Sequence, residues 1–437
     1  MAATGAIIDG SINGRPTGRP IDSRAGLGAA FVKSRAATLL DWAVALWIFS
    51  GSFVIFEPAP YELVFFCVVS VSLLAGLAFF RQLNGLLVLF VAFIPFAIVA
   101  AFQPKFTELS DALIFSGVTV FLMFTAYWVA NYVAAAPQHR MRLIVQAYLL
   151  TAVLSALLGT LGYLDILPWH DLLTRYDRAK ALFNDSNVFG PFLFLPAMYA
   201  LQRVLLGKGR FALWGAAAFM VLAIGVFASF SRAAWGGLAA GALILFLLVF
   251  FLEANAREKV RMMIIALAGM MAMVVALGGL LSIPSVQKLF ETRASAVQSY
   301  DDGETGRFGR QGYAFELALA NPLGIGPLEF RNLRVKEEPH NSYVNVLHVY
   351  GWGGGFVFVL LMLLTLWRAV RFTFIASPNR LLLLPLVAVY IPHVIEAAII
   401  DLDHWRHFFL IAGLIWGVTA GYRRTLPGED NRHSALI

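Results

Sequence analysis

The sequence predicts an all-α integral membrane protein of about twelve transmembrane helices, joined by short connections apart from one large outer loop. Three observations carry that expectation. The 437 residues are 59% hydrophobic and only 14% charged, with a mean hydropathy of +0.75. Soluble domains are about 45–50% apolar and about 25% charged, so the excess calls for lipid as solvent. The apolar residues fall in windows near the length of one crossing, and Lys and Arg concentrate in every second connection, as insertion requires of cytoplasmic loops.

Residues 1–36 are polar and lack the compact apolar core and cleavage site of a signal peptide. They are expected to form a disordered cytoplasmic tail, with the next segment as an uncleaved anchor. Nine helices follow within 37–281, at 37–56, 60–80, 84–103, 112–136, 142–164, 187–206, 211–230, 233–252 and 260–281. A polar stretch, 282–341, makes the large loop. Helices ten to twelve, at 342–366, 381–400 and 405–421, fill 342–421, and a cytoplasmic tail closes the chain at 422–437. Between 211 and 252 only Ser231-Arg232 interrupts the apolar run. One helix of that length is far too long for a single crossing, so a tight turn is required there.

Alternation from a cytoplasmic N-terminus gathers Arg140 with Arg142, Arg203 with Lys208 and Arg210, Arg257 with Lys259 and Arg261, and Arg368 with Arg371 and Arg380 on one side. The net charge of +7 therefore reflects insertion first. No concentrated basic patch with interleaved aromatics points to nucleic acid. The single cysteine, Cys67, lies in an apolar run, so there is no disulfide framework. No internal repeat of the inverted kind that many carriers show is found.

Several cations fall on the opposite, outer side, where the insertion rule does not ask for them. Arg178 and Lys180 precede Asn184-Asp-Ser-Asn187, which opens a helix that Asp185 or Ser186 can cap. A helix N-terminus offers free N–H groups to a phosphate, and the two cations reinforce that field. The plainer reading is snorkelling at a headgroup boundary. Arg232 is sharper. An ionisable residue between two long apolar runs costs about 2.5–3.5 kcal/mol if it reaches the bilayer centre. A reverse turn needs a polar residue, but serine or asparagine would serve at less cost. Gly236-Gly237, one turn later, permit close helix approach.

The large loop holds Gly306-Arg307-Phe308-Gly309-Arg310, an amphipathic helix over 313–320, and Asn321-Pro-Leu-Gly-Ile-Gly326 with turn chemistry. Arg310, Arg331 and Arg334 read as solvated surface charges. Pro339-His340-Asn341-Ser342 precedes the next helix, which Asn341 or Ser342 can cap. That fixes His340 at a helix entrance, where an imidazole exchanges protons near neutrality or simply caps. Within that helix Gly351 and Gly353-Gly354-Gly355 permit tight packing or a kink. The last outer loop, Asp401-Leu-Asp403-His404-Trp405-Arg406-His407, offers eligible metal ligands at a spacing that matches no specific metal motif. The acids are expected to pair with the outer cations, and Trp405 to anchor the interface.

These pieces resemble the O-antigen ligase/polymerase superfamily of bacterial surface-polysaccharide enzymes. The matching elements are Arg178 through Gly190, Ser231-Arg232 with its glycines, Arg307 with Pro322-Leu-Gly-Ile-Gly326, and His340-Asn341-Ser-Tyr343 with Gly351. They span roughly 178–355, with weaker agreement over 401–413, and their order is more specific than any one of them. The resemblance implies a GT-C-type bundle with one large periplasmic loop in the bacterial inner membrane. It also implies an undecaprenyl-diphosphate-linked glycan donor, a glycan or lipid A-core acceptor, polysaccharide-assembly proteins as possible partners, and metal-independent transfer without a cofactor.

The residue types suit that chemistry. A departing diphosphate accumulates negative charge that fixed guanidinium groups stabilise. Arg178, Arg232 and Arg307 are assigned to it, with Lys180 assisting. His340 is the general base, or orients the acceptor hydroxyl, and Asn187, Asn341, Asp401 and Arg406 support the set. A polymerase is favoured over a ligase because nothing marks a lipid A-core site. A transporter or flippase of lipid-linked glycans is the alternative from another class, with an inactive assembly component behind it. A carrier calls for ionisable residues at the membrane midplane.

Overall fold

A computed structural model of the chain describes residues 23–56, 58–294, 303, 306–334 and 336–420. The first 22 residues of the tail expected at 1–36, and the tail expected at 422–437, lie outside the described residues. Helix α1 (Ser23–Ser50) begins well before the predicted anchor, so residues 23–36, read from the sequence as disordered tail, are helical. That stretch carries Ala, Arg and Lys and no proline. A helix nucleated in the apolar segment propagates through such residues at little cost.

Each predicted apolar window contains a helix, though those at 37–56, 60–80 and 381–400 end four to six residues early, at Ser50, Ala75 and Glu396. The first five are α1, α2 (Pro60–Ala75), α3 (Asn84–Ala101), α4 (Leu109–Ala135) and α5 (Pro137–Tyr163). Prolines open α2 and α5, where a missing N–H is no loss. A short helix, α6 (His170–Leu173), leads into β1 (Thr174–Arg175) and β2 (Arg178–Ala179). These two antiparallel strands, absent from the sequence reading, are the only strands among the described residues. Tyr176 and Asp177 between them have φ of 53° and 55°, the signature of a type I′ hairpin turn.

The window at 187–206 is split into α7 (Ser186–Phe192) and α8 (Phe194–Leu206). Then come α9 (Arg210–Ala228), α10 (Arg232–Leu252) and α11 (Ala256–Leu281). The tight turn expected between α9 and α10 is present. Phe230 has φ of 45°, and the Ser231 side chain accepts the N–H of Ala234. The large loop folds into α12 (Pro284–Ala294), α13 (Arg307–Ala320), whose second half is the expected amphipathic helix, and α14 (Phe330–Leu333). The chain ends in α15 (Ser342–Thr373), α16 (Arg380–Glu396) and α17 (Arg406–Ala420). Among the described residues, eight helical stretches are long and apolar enough to cross a membrane, and α2 and α17 are shorter apolar helices.

The closest pairings are α4 with α17, α1 with α2, α8 with α9 and α10 with α16, and α13 lies along the start of α15. There α15 kinks at Gly351, whose φ of 70° and ψ of −178° are outside the helical range. The kink frees backbone groups that need partners. The Asn321–Gly326 turn supplies them: Ile325 N–H donates to the His348 carbonyl at 2.7 Å, and Trp352 N–H donates to the Pro322 carbonyl at 2.9 Å. A Cβ at Gly351 would stand 2.5 Å from the Pro322 oxygen, so the kink and the turn require glycine there. The buried Glu329 carboxylate receives the N–H groups of Lys105, Phe106 and Thr107, tying the large loop to the α3–α4 connection.

Candidate active site

Arg178 is buried at 8% exposure where three segments meet. Its Nε donates to the Ser229 carbonyl at 2.8 Å and its terminal nitrogen to Asn187 Oδ1 at 2.7 Å. Ser229 follows the last residue of α9, where helix carbonyls carry partial negative charge, so a guanidinium is held there favourably. The phosphate-binding reading of the next helix N-terminus does not hold. Helix α7 is only seven residues long, and the Asp185 carboxylate accepts the N–H of Asn187 at 2.7 Å. An anionic cap already takes the place a phosphate would need. Lys180 turns aside as well: its ammonium donates to the Leu172 carbonyl at 2.7 Å. Partial burial, and Arg175 nearby, lower its proton affinity below that of an ordinary lysine.

Arg232 is the first residue of α10, half-buried, behind the Ser231 cap. It lies three positions beyond the carbonyl that holds Arg178, so Arg178 is anchored to the turn that bears Arg232. Helix α7 packs against that turn so closely that a Cβ on Gly190 would sit 2.7 Å from the Ala234 Cβ and 2.9 Å from the Ser229 Oγ. Trp235 is stacked between Phe227 and Phe290, at 5.4 and 5.5 Å between ring centroids, which docks α12 beside Arg232. Of the two glycines singled out, Gly237 permits the close approach and Gly236 faces open space. A Cβ on Gly237 would overlap Glu396 and stand 2.6 Å from the Phe194 ring.

His340 occupies the left-handed region, with φ of 54°. Its Nδ1 is 3.1 Å from Asp401 Oδ2, while Asp401 Oδ1 accepts the N–H of Asn341 at 3.0 Å. Asn341 caps α15, its side-chain oxygen accepting from Tyr343 and Val344 N–H. Gln311, which the sequence reading missed, donates to the His340 carbonyl at 3.0 Å. Arg307 is one turn before Gln311 on the same face of α13, a spacing that was legible in the sequence. His340, Asn341, Asp401 and Gln311 are thus in contact, and Arg307 stands one turn away.

The two groups are joined through the end of α16. Glu396 packs on Gly237 of α10, and the next residue, Ala397, accepts the Ser342 N–H at 2.7 Å. Ser342 then donates to Ile400 O and accepts from Leu402 N–H, both at 2.7 Å, which fixes the loop bearing Asp401.

Arg406 makes an ion pair of its own. Its Nε donates to Glu62 Oε1 at 2.6 Å, both side chains being largely buried, so it pins α17 to α2. That pairing gives Arg406 a structural role between α17 and α2. Arg310 is buried and paired with Glu337, Arg331 pairs with Glu338, and Arg334 lies over the Tyr313 ring. Arg310 is thus not the solvated charge expected. Burial raises the proton affinity of Glu338 despite Arg331.

Asp403 accepts from Asn345 at 3.1 Å and lies 3.2 Å from His404 Nδ1. Burial would push its pKa up, but His404 and the hydrogen bonds from it and from Asn345 hold the carboxyl below the ordinary aspartate range. Trp405 is buried against His393 and His407 rather than anchoring an interface. His393, 3.2 Å from Glu396, and His407 form a buried polar cluster that the sequence reading also missed. Its signal was two ionisable residues inside the apolar window 381–400. Among the described residues, no three His, Cys, Asp or Glu side chains converge as a metal site would.

Residues 216–359 match the family model described as O-antigen ligase. The matched stretch contains Arg232, Arg307, Gln311, His340 and Asn341. Arg178, Lys180, Asn187, Asp401 and Arg406 lie outside it. No curated protein matches the chain. The family match supports the O-antigen ligase/polymerase superfamily, and the apolar helices agree with a multi-pass membrane protein of that kind.

Proposed function

We propose that the chain is a membrane glycosyltransferase that transfers or polymerises undecaprenyl-diphosphate-linked oligosaccharide at the periplasmic face of the bacterial inner membrane. The observation that carries this reading is the anchoring of Arg178 on the turn that bears Arg232, linked through the end of α16 to an Asp401-held His340. With the twelve crossings and cytoplasmic termini expected from the sequence, these groups fall on one outer face. Asp401 favours the tautomer with the proton on Nδ1, which leaves Nε2 as the base.

In the reaction the acceptor hydroxyl oxygen attacks the anomeric carbon and its proton passes to His340 Nε2. The bond from that carbon to the diphosphate oxygen breaks, and the diphosphate leaves with the electron pair. Arg232, Arg178 and Arg307 stabilise the growing charge, with Lys180 as a more distant cation. Asn187 and Asn341 hold Arg178 and His340 in place. The acceptor is a second lipid-linked glycan for a polymerase, or lipid A-core for a ligase. Polymerase remains the favoured reading. Polysaccharide-assembly proteins are candidate partners.

Purified protein given donor and acceptor tests the proposal. Wild type forms a new glycosidic linkage, while Arg232→Ala and His340→Ala insert normally and form none. Wild-type rates in both variants would overturn it. The buried His393–Glu396–His407 cluster has no part in this scheme, so the same assay includes a flipping readout. Movement of lipid-linked glycan without linkage favours the flippase. Glycan profiling of a deletion strain separates the two enzymes: single-repeat-capped product indicates a polymerase, and polymer stranded on the carrier lipid indicates a ligase.

A further inference from the structure

Beside the arginine pair lies a cleft of about 860 Å3 that the reaction scheme leaves without a role. That volume falls within the range of small-molecule sites, roughly 300–1,000 Å3. One wall is the end of α5 and the loop after it, with Tyr163, Asp165, His170 and Asp177. The facing wall is α12, where Lys288 and Thr292, one turn apart, present the same face.

The cleft adjoins the diphosphate groups at two points. Asp177 is the residue before Arg178 in the hairpin turn, and the Tyr163 ring packs 5.4 Å from Phe230, two residues before Arg232. Its chemistry differs from theirs. Two carboxylates against one lysine repel a diphosphate, so the cleft is not a second anion site. Alongside Leu164, Ile166, Ile283 and Leu289, the cleft presents two carboxylates, hydroxyls and an imidazole, a mixed lining that suits the polar groups and apolar ring faces of a ligand rich in hydroxyl groups. Each carboxylate accepts from sugar hydroxyls in short charge-assisted bonds, and the tyrosine offers a flat apolar face.

We infer that this cleft holds the saccharide of the lipid-linked donor, with Asp165 and Asp177 as its specificity-determining residues. The inference rests on the glycosyl-transfer reading above. Binding to the full chain in nanodiscs tests it, with two probes: undecaprenyl diphosphate, and the lipid-linked oligosaccharide extracted from a strain lacking this chain. Asp165 and Asp177 have φ of 56° and 55°, a region asparagine tolerates, so Asp165→Asn with Asp177→Asn preserves both turns.

The double variant is expected to bind the oligosaccharide-bearing lipid about tenfold more weakly and undecaprenyl diphosphate within about twofold of wild type. Leu289→Trp, which fills the cleft, gives the same split. Unchanged binding of both probes by both variants, or equal loss of both, overturns the inference. Arg232→Ala separates this failure from that of the parent reading. If wild type binds neither probe better than Arg232→Ala does, the diphosphate assignment itself fails and this inference with it.

Discussion

Asp401 divides its carboxylate between His340 and the backbone that follows it, with Oδ2 3.1 Å from Nδ1 and Oδ1 accepting the Asn341 N–H at 3.0 Å. One side chain therefore orients the imidazole and fixes the helix entrance. In Asp401→Asn the amide oxygen can keep the backbone bond, but its NH2 donates toward Nδ1 and moves the ring proton to Nε2. General-base catalysis contributes roughly 10²–10⁴-fold, and a loss in that range is expected in kcat with little change in KM. A wild-type kcat in this variant would remove the imidazole from the chemistry.

Arg178 reaches Ser229 O through Nε and Asn187 Oδ1 through a terminal nitrogen. A lysine cannot span both acceptors with one ammonium. Arg178→Lys is expected to lower kcat/KM about 10–100-fold, since each hydrogen bond to a charged group is worth about 1.5–3 kcal/mol. Asn187→Ala should give a smaller loss in the same direction, because the Ser229 contact survives. Transfer assays with both purified variants measure the order.

Adjacent glycines make opposite predictions. A Cβ on Gly237 would overlap Glu396 and the Phe194 ring, whereas one on Gly236 meets nothing within 4 Å. Gly237→Ala is expected to destabilise by about 1–3 kcal/mol through overpacking. Gly236→Ala should be neutral or stabilise by up to about 1 kcal/mol, since alanine is the better helix former. Thermal melts of the two variants in one detergent decide it, and equal shifts would mean that α10 and α16 do not meet as described.

Much of this was legible because the governing physics is local. Apolar windows mark the helices, the Ser231 turn follows from the length of the run, and Asp185 and Asn341 are caps of the expected chemistry. The misses come from partners far apart in sequence. Nothing near Arg406 announces Glu62, and nothing near Asp401 announces that its two oxygens serve His340 and Asn341. Gln311 was visible only as a residue one turn from Arg307. The start of α1 was missed because apolarity marks where lipid contact begins, while helix propagation continues through Arg24 and Lys33.

The Arg406–Glu62 pair is largely buried, with a separation of 2.6 Å. Removing one partner leaves the other charge uncompensated, at about 3–5 kcal/mol. Arg406→Ala should therefore lower thermal stability strongly. Transfer per folded molecule is expected to stay within about twofold, because its guanidinium is engaged by Glu62. Swapping the charges, Arg406→Glu with Glu62→Arg, should recover part of the loss. A folded Arg406→Ala protein that has lost transfer would return this arginine to the anion site.

Asp403 gives the pH dependence its sign. His404 and Asn345 hold the carboxyl below the ordinary aspartate range against the opposing push of burial. The folded protein therefore binds that proton less readily than the unfolded chain, so the interaction stabilises in full above about pH 4 and is lost as pH falls through the depressed value. Asp403→Asn removes the charge while keeping the shape. It is expected to destabilise by about 1–3 kcal/mol at pH 7, since a buried bond to Asn345 is weakened and His404 loses its carboxylate. The gap between wild type and variant should then close on acidification. Denaturation midpoints from pH 7 down to 3 measure this, and a gap that widens towards acid would show that the carboxyl is held protonated instead.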